Sequence, residues 1–450
     1  MFSNQFYYYK IRDWMVIEPS TGLGQRYLIS AKGFHFIKII REALNKATAS
    51  DEVGLDTLLE LSNDPEYHTF INFLDQIGFL KDDPEKRSQT NSDGKEKATN
   101  SFQSNDELYK RLLKDAYLQN RPEHVQIDLE SLCNFDCVYC VRGGSIPYNT
   151  KLMLSVDDYK RLFDEFEELG VSEVTFSGGE PFLRKDINDI LLLTTYYGFK
   201  IRVFTNAALI TQEHIDTLKR IRLVNLQIGF YGNKQDYPHF TGVDAFDAVW
   251  RAVNMVKDNG VPYAITCPLT THNRGSFEFF KSLENDYNVA YNYHLSPAAK
   301  SLPLDTSSEF LLDVNDEFLN KSFHPTNAIE IDPNDPDLEC IIGHKFVVID
   351  IIGNVYPCYS YPMPIGNLHH RSLEEIWLNN PELDKIREVN ASKVFSKCRG
   401  CEFQTYCVRC LAYNMIFTGK LDELNPYTCK MGEFTTILHK RRAAAANDKI

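Results

Sequence analysis

The sequence predicts an α/β protein whose centre is an open, partial barrel of six β/α units. Three observations predict it. From about residue 122, apolar β-branched stretches alternate with amphipathic helical stretches six times, the pattern of a parallel sheet. Six units fall short of the eight that close a barrel, and right-handed crossovers curl an open sheet one way. A cysteine-rich loop directly follows the first of these strands, where such folds place their chemistry.

The elements follow in order. Residues 1–81 read as a compact unit: "FYYYK", "WMVIEPS" and "RYLIS" are short aromatic, β-branched strands, and "AKGFHFIKIIREALNKA" and "YHTFINFLDQIGFL" carry apolar residues at helical spacing. Residues 82–106 are polar, cannot bury a core and read as a flexible linker. Residues 107–300 hold the barrel. "HVQIDLE" is its first strand. "SVDDYKRLFDEFEELG" is a helix with Tyr159, Leu162, Phe163, Phe166 and Leu169 on one face and a capping box of Ser155 with Asp158. Strands are expected at "VSEVTFS", "FKIRVFTN", "LVNLQIGFY", "YAITCPLT" and "AYNYHLS", with helices between them. Residues 301–339 form an irregular bridge, 340–430 a cysteine-bearing unit and 431–450 a short helix-like tail.

Composition narrows the function. Of 450 residues, 43% are hydrophobic, which suits a globular chain with a sizeable core. A net charge of −14 argues against a nucleic-acid binder. No signal peptide or membrane-length apolar run is evident, so no membrane partner and a cytoplasmic location are expected. Ten of the eleven cysteines fall in two groups, and in a reducing compartment clustered thiols suggest metal or catalysis. The eleventh, Cys267, reads as a buried strand residue.

The first group is "LCNFDCVYC", with Cys133, Cys137 and Cys140 spaced C-x3-C-x2-C. Structural zinc takes four ligands, commonly in separated pairs, and no nearby His completes this set. Three thiolates on a four-iron cluster leave one iron open. After the second strand comes "FSGGEPFL", where Gly178, Gly179, Glu180 and Pro181 offer close backbone approach and acceptors suited to an ammonium.

The triplet, with Tyr139 as its aromatic, together with the GGEP segment at the next strand end, resembles the radical S-adenosylmethionine (SAM) enzymes. The resemblance implies a 4Fe–4S cluster whose open iron binds SAM. One electron, from a donor such as flavodoxin or ferredoxin, then yields a 5′-deoxyadenosyl radical that abstracts hydrogen. It also implies SAM contacts from the GGEP segment and from Thr205 and Asn206, with Ala207 standing where the family often has glycine. Gly229, Phe230, Tyr231 and Gly232 replace a Ser-Leu-Asp-Gly, so the serine that helps hold the ribose is missing.

Cys340, Cys358, Cys398, Cys401, Cys407, Cys410 and Cys429 resemble the seven-cysteine SPASM extension, with two auxiliary 4Fe–4S clusters, although C-x2-C stands where that extension usually has C-x3-C at Cys407 and Cys410. The resemblance implies that Cys398, Cys401, Cys407 and Cys429 hold one cluster and Cys340, Cys358 and Cys410 the other. A pair of zinc sites is the alternative.

Three strands followed by helices in residues 1–81 resemble the small winged-helix module that captures a precursor peptide's leader as an added strand. Together these resemblances imply a maturase of a ribosomally made precursor peptide that forms a crosslink, thioether or carbon–carbon. Oxidation of a protein residue as in sulfatase maturation, peptide epimerisation, and a zinc-stabilised peptide-binding scaffold are the alternatives. No catalytic base can be assigned; His239 and His294 read as ordinary surface or core histidines.

Overall fold

The computed structural model describes residues 6–80, 112–292 and 340–447, each with short breaks. The expected linker at 82–106 and bridge at 301–339 lie outside the described residues, as do Tyr139 and His294.

The N-terminal unit is a three-stranded antiparallel sheet, β1 (Phe6–Ile11), β2 (Trp14–Pro19) and β3 (Tyr27–Ser30), in that spatial order. Helices α1 (Ala31–Lys46) and α2 (Pro65–Gln76) close a separate core in which Tyr8, Met15, Ile37, Tyr67 and Phe70 meet. Asp64 caps α2 by accepting from the Glu66 amide. The unit docks directly on the barrel. Arg41 of α1 forms a two-pronged ion pair with Glu167, both contacts 2.7 Å, and the pair is buried. Burial pushes the Glu167 carboxyl up and Arg41 pulls it back. Removing one partner of such a pair costs about 3–5 kcal/mol. The Tyr8 amide donates to the Gly198 carbonyl at 3.1 Å, and Arg222 Nε to the Phe6 carbonyl at 2.8 Å.

Among the described residues, the main sheet has nine strands. Six are the expected parallel strands in sequential order: β4 (His124–Glu130), β5 (Glu173–Gly178), β6 (Lys200–Thr205), β7 (Leu223–Gly229), β8 (Tyr263–Pro268) and β9 (Val289–Asn292). Their apolar positions, such as Val125, Ile127, Val174, Phe176, Ile201, Val203, Leu226 and Ile228, are fully buried, which is why the strands show as apolar runs. Helix α3 (Val156–Leu169) has the expected buried face and a capping box of Ser155 with Asp158. Cys267 is buried on β8.

Three further strands were not foreseen as part of this sheet. β10 (Phe346–Ile349) pairs in parallel with β4, and β11 (Asn354–Tyr356) and β12 (Gly366–Asn367) continue the edge antiparallel. The first strand of the series therefore lies inside the sheet, and the C-terminal cysteine region grows out of the barrel. Trp377, Leu411 and Phe434 join the barrel's core. The C-terminal helix spans Pro426–Asn447 and carries Cys429 in its first turn, so the expected break at 430 falls inside one helix.

Candidate active site

β4 delivers the chain to the cysteine loop at the carboxyl end of the parallel strands. Glu130 fixes the exit: its Oε1 accepts from the amides of Ser131 (2.9 Å) and Leu132 (3.1 Å), and its Oε2 from the Tyr148 hydroxyl (3.3 Å). Ser131 and Ile146 close the loop with Oγ to carbonyl at 2.6 Å and amide to carbonyl at 3.0 Å. Phe135, between the first two cysteines, is buried. The short helix Tyr237–Thr241 seats the loop: the Asp136 amide donates to the Thr241 carbonyl (2.9 Å) and the Val138 amide to the Phe240 carbonyl (3.2 Å). The Cys140 amide turns back to the Cys137 carbonyl at 3.0 Å.

The GGEP segment is pressed against this loop. The Gly179 amide donates to the Glu130 carbonyl at 2.7 Å and the Glu180 amide to that of Leu132 at 2.9 Å. Gly178 has φ +133°, and a Cβ there would stand 2.1 Å from the Glu130 oxygen; one on Gly179 would stand 2.2 Å from the Leu132 oxygen. The glycines are needed for this close approach. The Glu180 side chain faces inward, fully buried. It accepts from Thr205 Oγ1 (2.7 Å), the Phe182 amide (3.0 Å) and the Asn206 amide (2.8 Å). Burial lifts its carboxyl to about 7 against those bonds. Its carboxylate thus ties the third strand end to the second. Pro181, itself buried, opens a short helical turn.

Asn206 completes the contact. Its Nδ2 donates to Asn134 Oδ1 at 2.8 Å and lies 3.8 Å from Cys133 Sγ. Ala207 holds φ +63°, a left-handed backbone. Tyr231 folds back over Gly229, where a Cβ would stand 2.0 Å from its hydroxyl oxygen. The phenol therefore fills the space a side chain at 229 would take. His239 is exposed on its helix.

Burial pushes the Cys133 thiol up to about 11, and pushes Cys137 further; the neighbouring thiols of the triplet add to both shifts. The three thiols thus share one neighbourhood and would be deprotonated by metal. Among the described residues, no three His, Cys, Asp or Glu side chains close on a point as ligands of a single ion do. A thiol triplet on a firmly seated loop suits the wider, three-ligand hold of a four-iron cluster.

The second group divides in two. Cys340 precedes β10, Cys358 follows β11, and Cys410 opens the helix Leu411–Thr418; all three pack against the barrel core. Burial raises the Cys358 thiol well above its ordinary value, with Cys340 and Cys410 adding to the shift. It lifts Cys410 to about 12, with Cys340 adding. The quartet is less covered: Cys401 and Cys429 are exposed. Cys407 Sγ lies 3.9 Å from the Thr428 carbonyl, beside Cys429. A cavity of about 500 Å³ opens between the cysteine regions, lined by Asp128, Ser131, Tyr148, Asp350, Tyr356 and Tyr359 among others. Ser131 is two residues from Cys133, and Tyr359 is next to Cys358.

Sequence reasoning missed Glu130, Asn134, Tyr148 and the seating helix 237–241. Only Glu130, an acid three residues before Cys133, left a local trace.

Two family models match the chain. The model of the radical SAM superfamily matches residues 127–280, and that of an iron–sulfur cluster-binding domain, SPASM, matches residues 340–402. An AdoMet-dependent heme synthase of Methanosarcina barkeri is 27% identical, over 69% of this chain and 97% of its own length. The antilisterial bacteriocin subtilosin biosynthesis protein AlbA of Bacillus subtilis is 24% identical, over 64% of this chain and 67% of its own. Crystal structures of Streptococcus suis SuiB resemble the fold: the SAM-bound form has a TM-score of 0.56 at 17% identity, covering 95% of this chain and 99% of that one. SAM and a 4Fe–4S cluster go with the first domain, and auxiliary iron–sulfur clusters with the second. Among the described residues, no helix is long and apolar enough to cross a membrane.

Proposed function

We propose that this radical SAM enzyme with a SPASM domain matures a ribosomally made precursor peptide, introducing a thioether or carbon–carbon crosslink. The observation that carries the reading is the N-terminal sheet. Its β1 side is held to the barrel through Tyr8 and Phe6, while β3 pairs only with β2 among the described residues. A winged-helix-like module with one sheet edge available can take an extended leader as a further strand. The core of the same peptide would then reach the cavity between the two cysteine regions. SuiB, of similar fold, has been solved bound to its precursor peptide SuiA, and AlbA is a bacteriocin biosynthesis protein.

In this reading Cys133, Cys137 and Cys140 hold the SAM-binding cluster, with the GGEP backbone, Thr205 and Asn206 near the cofactor. Cys340, Cys358 and Cys410 hold one auxiliary cluster; Cys398, Cys401, Cys407 and Cys429 hold the other. When bound, these cofactors would supply a 5′-deoxyadenosyl radical for taking a hydrogen atom from an unactivated C–H bond. The chain positions the target, excludes water and receives an electron from an outside donor such as a flavodoxin or ferredoxin. The heme synthase likeness favours a second reading, chemistry on a tetrapyrrole. Yet that enzyme spends 97% of its length on 69% of this chain, leaving nearly a third without counterpart.

Co-expression with the short peptides encoded beside its gene, followed by mass spectrometry, tests the proposal. A crosslinked peptide lighter by two hydrogens, formed only when residues 1–81 are present, is expected. Modification of none of these peptides, together with 5′-deoxyadenosine release stimulated by a porphyrin, would replace it with the second reading.

A further inference from the structure

Charge is unevenly spread along this chain. Residues 1–391 carry 38 lysines and arginines against 57 aspartates and glutamates, whereas residues 392–450 carry ten against five. An acidic molecule thus holds a basic segment, +5 against −19 for the rest. That segment contains Cys398, Cys401, Cys407 and Cys429. Of the eleven cysteines, the two that are exposed, Cys401 and Cys429, both belong to it.

The helix Pro426–Asn447 brings charge and thiol together. Lys430 is exposed next to Cys429. Lys440, also exposed, follows Cys429 by eleven residues, which returns it to the same side of the helix about 16 Å along the axis. Thr428, Phe434 and Thr436 are buried, so the helix has an inner side and an outer one. Its basic residues outnumber its acids, of which Glu433 is the only one. The first cysteine loop differs: from Cys133 to Ser145 it carries one acid, Asp136, and one base, Arg142, and its three thiols are half-buried.

Most of such a molecule repels an acidic protein. A basic patch on it orients an acidic partner and raises the rate of encounter. Electron carriers form small, transient complexes and depend on such steering. We propose that an acidic one-electron carrier protein docks on the basic face around Cys401 and Cys429, so that electrons enter the enzyme at the outer auxiliary cluster and not directly at the SAM-binding one. The inference rests on the reading of Cys398, Cys401, Cys407 and Cys429 as ligands of that outer cluster. The reduced carrier gives up one electron, the outer cluster gains it, and no bond or proton moves. Cys410, three residues after Cys407, belongs to the inner trio packed against the barrel core, which puts that cluster next in line.

The test uses the reconstituted full-length enzyme and two reductants, a strongly acidic flavodoxin in its hydroquinone form and photoreduced deazariboflavin, which is small and uncharged. Lys430→Glu with Lys440→Glu should slow reduction by flavodoxin about tenfold at low salt. The difference should close at about 0.5 M salt, where charges are screened within a few ångströms. Binding of oxidised flavodoxin to the unreduced enzyme, read by surface plasmon resonance, should weaken in step. Reduction by deazariboflavin, iron content and melting temperature should stay as in the wild type, since both lysines are exposed. Lys151→Glu with Lys185→Glu, an equal reversal at exposed positions beside the barrel mouth, should leave reduction by flavodoxin unchanged. Unchanged rate and affinity in the first pair, whether or not this face binds phosphatidylglycerol vesicles, would overturn the proposal, as would equal slowing by the second pair. Failure of the underlying ligand assignment would look different: Cys401→Ala would then keep the full iron content of the wild type.

Discussion

Among the described residues, the loop from Cys133 to Cys140 is tied to the barrel at several points, whereas the backbone bonds seen in the turns from Cys398 to Cys407 are local. The first loop gains a capped entry at Glu130, a buried Phe135, two amide bonds to helix 237–241 and the side chain of Asn206. In the second, Cys401 bonds back to Cys398, Gln404 to Cys401 and Cys407 to Gln404, all short-range amide-to-carbonyl contacts. Among its ties to the C-terminal helix are Thr436 Oγ1 to the Phe403 carbonyl at 3.4 Å and Cys407 Sγ to the Thr428 carbonyl at 3.9 Å. A site built on a scaffold can exist before its cofactor arrives. One built from turns around exposed thiols leans on the metal for its folding energy.

Removing iron should break the symmetry between the two most visibly. After chelation under reducing conditions, the barrel and the first cysteine loop should keep their protection against hydrogen exchange. The quartet and helix 426–447 should open, and limited proteolysis should cut first between residues 398 and 447. Equal protection of both regions would remove the distinction.

A smaller, opposite effect is expected from Gly179→Ala. Its methyl group would collide with the Leu132 carbonyl, so the scaffolded loop must shift, at a cost of roughly 1–3 kcal/mol. Iron content should fall by about one cluster in three, with the auxiliary clusters retained and 5′-deoxyadenosine formation lost. Loss of all the iron would mean that the two regions are not independent.

The smallest effect belongs to Ala207→Gly. An L-residue in left-handed backbone carries a penalty of roughly 1–2 kcal/mol, partly offset here by the buried methyl group and the greater freedom of glycine when unfolded. A net gain of about 0.5 kcal/mol is expected by denaturant titration, with cluster content unchanged. A loss of stability would show that the methyl group's packing outweighs the strain.

Much of this was legible in the sequence because it is local. The six strands show as apolar runs, Ser155 with Asp158 spells a cap, and the cysteine spacings are short. The role of Glu130 was half-legible: an acid before the triplet is visible, but its hold on the amides of Ser131 and Leu132 is not. The seating helix Tyr237–Thr241 was not legible at all. Its importance comes from crossing over to a loop about a hundred residues earlier in the chain, and no periodicity records that. The inward turn of Glu180 was hidden for the same reason, since its partners Thr205 and Asn206 belong to the next strand end. The helix across residue 430 shows the converse, where the end of the cysteine group suggests a boundary that the backbone does not have.

The pairing of β10 with β4 has a consequence for how the molecule comes into being. Phe346 lies opposite His124, so a ribosome must deliver more than two hundred further residues before β4 gains its second neighbour. Until then a long, apolar strand offers a bare edge, the kind of template on which chains stick to one another. A chain stopped after β9 would leave that edge bare permanently. Truncations meant to isolate the barrel should therefore aggregate unless residues 346–349 are kept. The newborn enzyme has reason to be held by a chaperone until its C-terminal quarter emerges.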